Sequence, residues 1–298
     1  MVCDEKIAAT GNSNGRLMLF IMELSDDDYV VKRALDLGEA GKCAVHSMIC
    51  KDGSVYLADS FNNKIYGYNS LNGEFMETTA GRDPRHMCIL GESMYVANFE
   101  SDNISVIDLS CFMLTESIPA GIKTHDVIAD EEKKILYTSC YEENMVIEYS
   151  LENEKTRRFE TDGKPMHLSL QGDSLIVMTY FVNGNVHTKI NFIDTAASKL
   201  SHVAEIDGLA SDMALDENKN TLYVLNIVDK SMYVIDMNSK KIINKIFLGG
   251  YPESLDLGEK YIYVTNSKKR QIAAVSKDNL TVENIVDLNF VPSCIKVI

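Results

Sequence analysis

The chain has 298 residues, of which 45% are apolar and 24% charged, and this ordinary globular usage excludes disordered, collagenous and low-complexity classes. Asp and Glu outnumber Lys and Arg by 44 to 29, a formal charge of −15; such a surface repels phosphate backbones and argues against nucleic acid as a partner. No run approaches the roughly 20 apolar residues of a membrane span, and Met1–Thr10 carries no basic segment followed by an apolar one, so a cytoplasmic protein with no signal peptide and no membrane partner is expected. The densest basic run, Lys268-Lys269-Arg270, reads as a solvated loop. Cys3, Cys43, Cys50, Cys88, Cys111, Cys140 and Cys294 are odd in number and lack a CxxC spacing, which favours reduced thiols over a disulfide framework.

In chain order the elements repeat. Lys6-Ile-Ala-Ala-Thr10 opens the chain as a degenerate copy of a five-residue box. The box returns as Val55–Asp59, Met94–Asn98, Leu136–Cys140, Leu175–Thr179, Leu222–Asn226 and Ile262–Asn266. From Val55 to Ile262 successive starts are nearly evenly spaced, with the longest interval between Leu175 and Leu222. After each box come a polar turn, a second strand such as Ile104-Ser-Val-Ile-Asp108, and a more variable third strand. A glycine then precedes a fourth, alternating strand such as His167–Leu170, Asp212–Leu215 or Ser254–Leu257. Four short strands of period two, repeating every ~40 residues, are one propeller blade. The expected fold is therefore all-β: a single domain, residues 1–298, forming a seven-bladed β-propeller with four antiparallel strands per blade. The last segment, Phe290–Ile298, has the fourth-strand pattern with nothing after it. It is expected to close the N-terminal blade by pairing near residues 6–10, which removes two open sheet edges.

The box Tyr263-Val-Thr-Asn266, with weaker copies at Tyr95-Val-Ala-Asn98 and Tyr223-Val-Leu-Asn226, resembles the YVTN (YncE-like) family of β-propellers. The Gly-x-x-Pro entry to the fourth strand at Gly250-Tyr-Pro-Glu253 is similar to the same family, as is Gly81-Arg-Asp-Pro-Arg-His86. The resemblance spans essentially the whole chain and implies the fold. It leaves function open, because such propellers serve binding modules, lyases, hydrolases and oxygenases alike.

Four of the six histidines, His46, His86, His125 and His167, recur at the interval of the repeat, and continuing that spacing gives Asp212, Ser254 and Ser293. Each falls where an innermost strand begins, so the four imidazoles are expected at one mouth of the propeller channel. Neutral imidazoles with open positions suit a transition metal, iron, copper or zinc, with Asp212 as an additional ligand or as an acceptor orienting an imidazole. Carotenoid-cleaving oxygenases, seven-bladed propellers with four axial histidines on iron, are a fold-level precedent. The other reading is that a histidine there bonds the backbone of the next blade.

Phe99, Tyr141 and Tyr180 follow the boxes of the His86, His125 and His167 blades and would wall a small-molecule pocket or simply pack the blade ends. Cys140 fits either a soft ligand or a core residue. The segment Tyr180–Lys189, with its Asn183-Gly184 turn signal, reads as a lid bringing His187 toward the mouth or as a plain longer hairpin. No GxSxG, P-loop or HExxH motif is present. Three functions follow: a metal-binding propeller, with oxidoreductase or lyase chemistry on a small-molecule substrate; a non-enzymatic scaffold for a protein partner; and a lyase using a histidine, a carboxylate and magnesium, as in streptogramin-inactivating enzymes. A monomer is expected.

Overall fold

A computed structural model describes residues 5–24 and 28–298; Cys3 lies outside the described residues. Its strands form seven four-stranded antiparallel sheets, the blades of a seven-bladed β-propeller. The one helical segment among the described residues is the 3-10 turn Tyr141–Glu143. By contact density the chain divides into two compact units. One comprises Met1–Tyr56, Gly67–Phe75 and Leu209–Ile298; the other comprises Leu57–Tyr66 and Met76–Gly208. The six cysteines among the described residues form no disulfide with one another.

In the first unit the C-terminal strand Val291–Val297 pairs antiparallel with Lys6–Ser13, matching Ile7 to Val297, Ala9 to Ile295 and Gly11 to Pro292. This is the closure expected from the sequence. Ile7, Ala9, Met22, Tyr263, Phe290 and Ile295 form one buried cluster around it, with the Phe20 and Phe290 rings stacked at 4.0 Å. Gly11 is fixed by this closure, since a Cβ there would meet the Val291 carbonyl oxygen at 2.4 Å and the Phe290 ring at 2.5 Å. Gly11→Ala is therefore expected to cost about 2 kcal/mol through overpacking, read as a lowered denaturation midpoint; an unchanged midpoint would refute the close approach.

The registers explain the repeated box. Its second and third residues are apolar and buried, as in Tyr223, Val224, Tyr263 and Val264. The final asparagine is a turn former: Asn226 Oδ1 accepts the Val228 N–H at 3.0 Å, and Asn266 Oδ1 accepts those of Tyr251 and Lys269. Pairing of Gly11 with Pro292, of Asn98 with Pro84 and of Asn266 with Pro252 shows that the N-terminal copy runs Ile7–Gly11. That is one residue later than its sequence alignment suggests.

Six innermost strands contain a bulge at this register, and in three of them a hydroxyl on the fourth box residue caps it. The Ser254 N–H donates to Thr265 Oγ1, the Cys294 N–H to Thr10 Oγ1 and the Asp126 N–H to Ser139 Oγ. A hydroxyl at that box position thus satisfies a donor that the bulge removes from the ladder.

Within the first unit Asp216 and Lys277 tie two blades together at 2.9 Å, with side chains 4% and 10% exposed. Burial pushes the Asp216 carboxyl up, but the Lys277 ammonium and the Lys219 N–H more than offset it, leaving the carboxyl below its ordinary value. The associated stability is complete above the unfolded carboxylate pKa, about 3.9, and is lost as pH falls through the lower folded value. Lys277→Met leaves a buried carboxylate and is expected to cost about 3 kcal/mol at neutral pH, with the deficit shrinking in acid. A pH-independent deficit would contradict this.

Candidate metal centre

Three consecutive innermost strands of the second unit, Pro84–Leu90, Thr124–Asp130 and Lys164–Gln171, those of blades three, four and five counted from the N-terminal blade, carry the site. Their pairing with the neighbouring strands slips between Pro84 and Met87, between Thr124 and Val127, and between Pro165 and Leu168. Each slip places two residues opposite one: Arg85-His86, His125-Asp126 and Met166-His167. A bulge re-aims side chains that a regular strand would alternate between faces, which lets neighbours in sequence contribute to one cluster.

The three imidazoles converge. Ring centroids lie 5.0 Å apart for His86 and His125, 4.5 Å for His86 and His167, and 5.4 Å for His125 and His167. Two imidazoles bound to one ion through nitrogens at about 2.1 Å have centroids roughly 4.6 Å apart at a right angle and roughly 5.3 Å apart at the tetrahedral angle. The observed separations span that range. Asp126 joins them: its Oδ2 is 4.0 Å from His167 Nδ1, and the donor atoms of His86, Asp126 and His167 all lie within 4.8 Å of one another. His125 is 1% exposed, Asp126 6% and His167 9%.

The surrounding backbone holds this group rigidly. Asp126 Oδ2 accepts the Leu168 N–H of the next blade at 2.8 Å, and Oδ1 accepts the Val127 N–H. Thr138 Oγ1 donates to the Asp126 carbonyl, and Ser139 Oγ donates to the Met166 carbonyl. The Leu136–Cys140 box therefore braces the bulges that bear the imidazoles.

Asp126 was not singled out by spacing. The bulge register aligns His86, Asp126, His167, Asp212 and Ser254, each one residue before a residue paired with its neighbouring strand, and aligns Cys294 rather than Ser293 with them. His125 stands one position earlier. The near-even recurrence of the histidines merges two adjacent registers, because a slip of a single position is invisible in spacing. The available signal was the acid directly after His125, in register with Asp212.

Asp212 itself lies in the first unit. Its carboxylate accepts the Met213 and Leu255 N–H groups and the Ser254 hydroxyl, the same inter-blade clamp that Asp126 makes. His46 also belongs to the first unit, half-buried on Val45–Lys51.

Phe99, Tyr141 and Tyr180 are all half-buried. Phe99 lies edge-on to His125 at 6.1 Å and 6.0 Å from Tyr141. Tyr180 lies further along, opposite Lys164 on the inner strand. Cations cover these rings: Arg85 at 3.8 Å and Lys123 at 5.0 Å from Phe99, and Lys164 at 4.4 Å from Tyr141. Each also pairs with a carboxylate, Asp83, Glu100 or Glu142, and its hydrogen bond to Lys123 holds the Glu100 carboxyl below its usual range. Cys140 is fully buried, and burial pushes its thiol up to about 12, as for a core cysteine. The blade-five segment is a plain hairpin of Ser174–Asn183 and Asn185–Asp194 closing at Gly184, and His187 faces Asp207 on the outer strand at 3.2 Å.

No protein-family model matches the sequence, and no curated protein matches it. Solved structures do resemble the fold. A functionally unknown protein from Desulfotomaculum acetoxidans shares 10% identity over 99% of both chains with a TM-score of 0.75. The periplasmic gluconolactonase PpgL of Pseudomonas aeruginosa shares 13% identity over 99% of both, with a TM-score of 0.74. The hydrazine synthase of Kuenenia stuttgartiensis shares 16% identity over 78% of this chain and 77% of its own, with a TM-score of 0.70. At these identities the likeness establishes the architecture of this chain, a seven-bladed β-propeller.

Proposed function

We propose that the chain is a metal-binding β-propeller of YVTN type. Its inner-strand bulges in blades three to five hold one transition-metal ion, iron, copper or zinc, through His86, His125 and His167, with Asp126 as the carboxylate donor. The convergence of three imidazoles at centroid separations of 4.5–5.4 Å carries this reading, because a single ion requires separations of that size. The short braces on Asp126 support it, since ligating carboxylates are themselves held by hydrogen bonds. The donor set proposed lies within one unit.

Half-buried Phe99 beside His125, with Tyr141 next to it, favours a small-molecule substrate, and with it oxidoreductase or lyase chemistry at the ion. Gluconolactonase and hydrazine synthase among the structural neighbours illustrate that this architecture carries enzymes. The test is elemental analysis of protein purified without chelators. One equivalent of metal per chain is expected, falling on acidification as imidazoles protonate. Metal-free protein that takes up none of these ions on dialysis would return the histidines to a packing role.

A further inference from the structure

We propose that the turns at one end of blades six and seven form a docking surface for an acidic segment of a partner protein, in which carboxylates alternate with apolar side chains. The surface lies within the first unit and is independent of the metal reading.

The turns 227–230, 248–251 and 267–270 are joined through their backbones. The Leu248 and Gly249 N–H groups donate to the Lys230 carbonyl, and the Ser267 N–H donates to the Tyr251 carbonyl. They carry Lys230, Lys268, Lys269 and Arg270. Lys245 on the outer strand Lys241–Phe247 joins them through its ion pair with Asp229 at 2.8 Å. In a chain of formal charge −15, these cations reverse the sign of the surface locally. Two carboxylates beside them are already engaged, Asp229 by Lys245 and the Tyr233 hydroxyl, Glu253 by the Ser267 hydroxyl. Among the described residues Lys230, Lys268, Lys269 and Arg270 make no ion pair.

The same region exposes apolar side chains: Val228 is 61% exposed, Phe247 72% and Tyr251 46%. Such residues scattered singly need no explanation, but these stand among the cations. Lys268 lies 5.2 Å from the Tyr251 ring centroid. A Cβ on Gly249 would meet Lys269 Nζ at 2.8 Å and the Phe247 ring at 3.6 Å, so cation and ring share one spot. Exposed rings supply contact area of the kind interfaces favour, and the cations supply charge complementarity to carboxylates. Charges act over about 10 Å at 0.1 M salt. A short acidic segment fits within that reach, whereas a nucleic acid or an anionic membrane is a larger polyanion that also meets the acidic remainder of the surface.

The probe is a fluorescein-labelled peptide of repeated Glu-Glu-Leu units, titrated into the full-length protein at low salt and followed by fluorescence anisotropy. Saturable binding at one peptide per chain is expected, weakening as salt is raised. Lys268→Glu combined with Lys269→Glu should lower the affinity by at least about tenfold. Phe247→Ala, at an exposed position where the fold is not at stake, should lower it by at least about fivefold. Lys155→Glu, at an exposed cation of the second unit, should leave it unchanged, and melting temperatures confirm that each variant is folded. Absence of binding at low salt overturns the inference, as does binding that folded Phe247→Ala retains in full. Tighter binding of single-stranded oligothymidine or of phosphatidylserine vesicles, lost in the same variants, assigns the surface to phosphates and overturns it too.

Discussion

Replacing His86, His125 or His167 by Ala lowers metal affinity by at least about a hundredfold, because each removes a donor rather than a group that merely orients one, whose loss costs about 10–100-fold. The fold survives these changes. The buried clusters of the second unit, with Leu136, Tyr137, Phe159, Leu175 and Val177 among their members, contain none of the three imidazoles. Metal content and melting temperature measured on the same samples separate the two effects. Variants that melt normally and retain one ion per chain would exclude the residue concerned as a ligand. The pattern across the three is informative, since His86 and His167 share one bulge register and His125 stands one residue earlier.

Deleting Val291–Ile298 yields no soluble monomer. The deletion strips the edge of Lys6–Ser13, whose Ile7, Ala8 and Ala9 are fully buried in the intact protein. An uncovered apolar edge strand is a template for intermolecular pairing. A milder version isolates the energetics: Ile295→Ala, at a fully buried position in the closing strand, should cost about 3 kcal/mol. Size-exclusion chromatography and denaturant melts read the two experiments. A monomeric deletion with an unchanged midpoint would contradict the closure.

The architecture was legible in the sequence because a blade repeats its chemistry. Box, turn, outer strands and alternating inner strand recur at a near-constant interval, and the unmatched C-terminal strand has one partner that leaves no open edge. What spacing could not resolve was the bulge. Ile7–Gly11 and Lys6–Thr10 are equally acceptable alignments until Gly11 is seen opposite Pro292. His125 likewise passes for a member of the His86 register until the slip between Thr124 and Val127 gives that place to Asp126.

The same limit hid the carboxylate. Asp126 is an inter-blade clamp, like Asp212, and only its distance to His167 marks it as a donor. The sequence left Phe99, Tyr141 and Tyr180 as pocket wall or blade-end packing, and all three are half-buried. Phe99 and Tyr141 approach each other, and Phe99 approaches His125, whereas Tyr180 lies on the elongated hairpin. Its placement depends on how that strand continues past the box, which period-two patterning does not encode.

The central claim is that the bulges of blades three to five close on one ion. Anomalous diffraction at the metal absorption edge, from crystals of protein purified without chelators, tests it directly. The account predicts a single peak bonded at about 2.0–2.2 Å to one nitrogen each of His86, His125 and His167, with an Asp126 oxygen completing the protein donors. Crystals soaked in ferrous, cupric and zinc salts that show no peak among these imidazoles would contradict it.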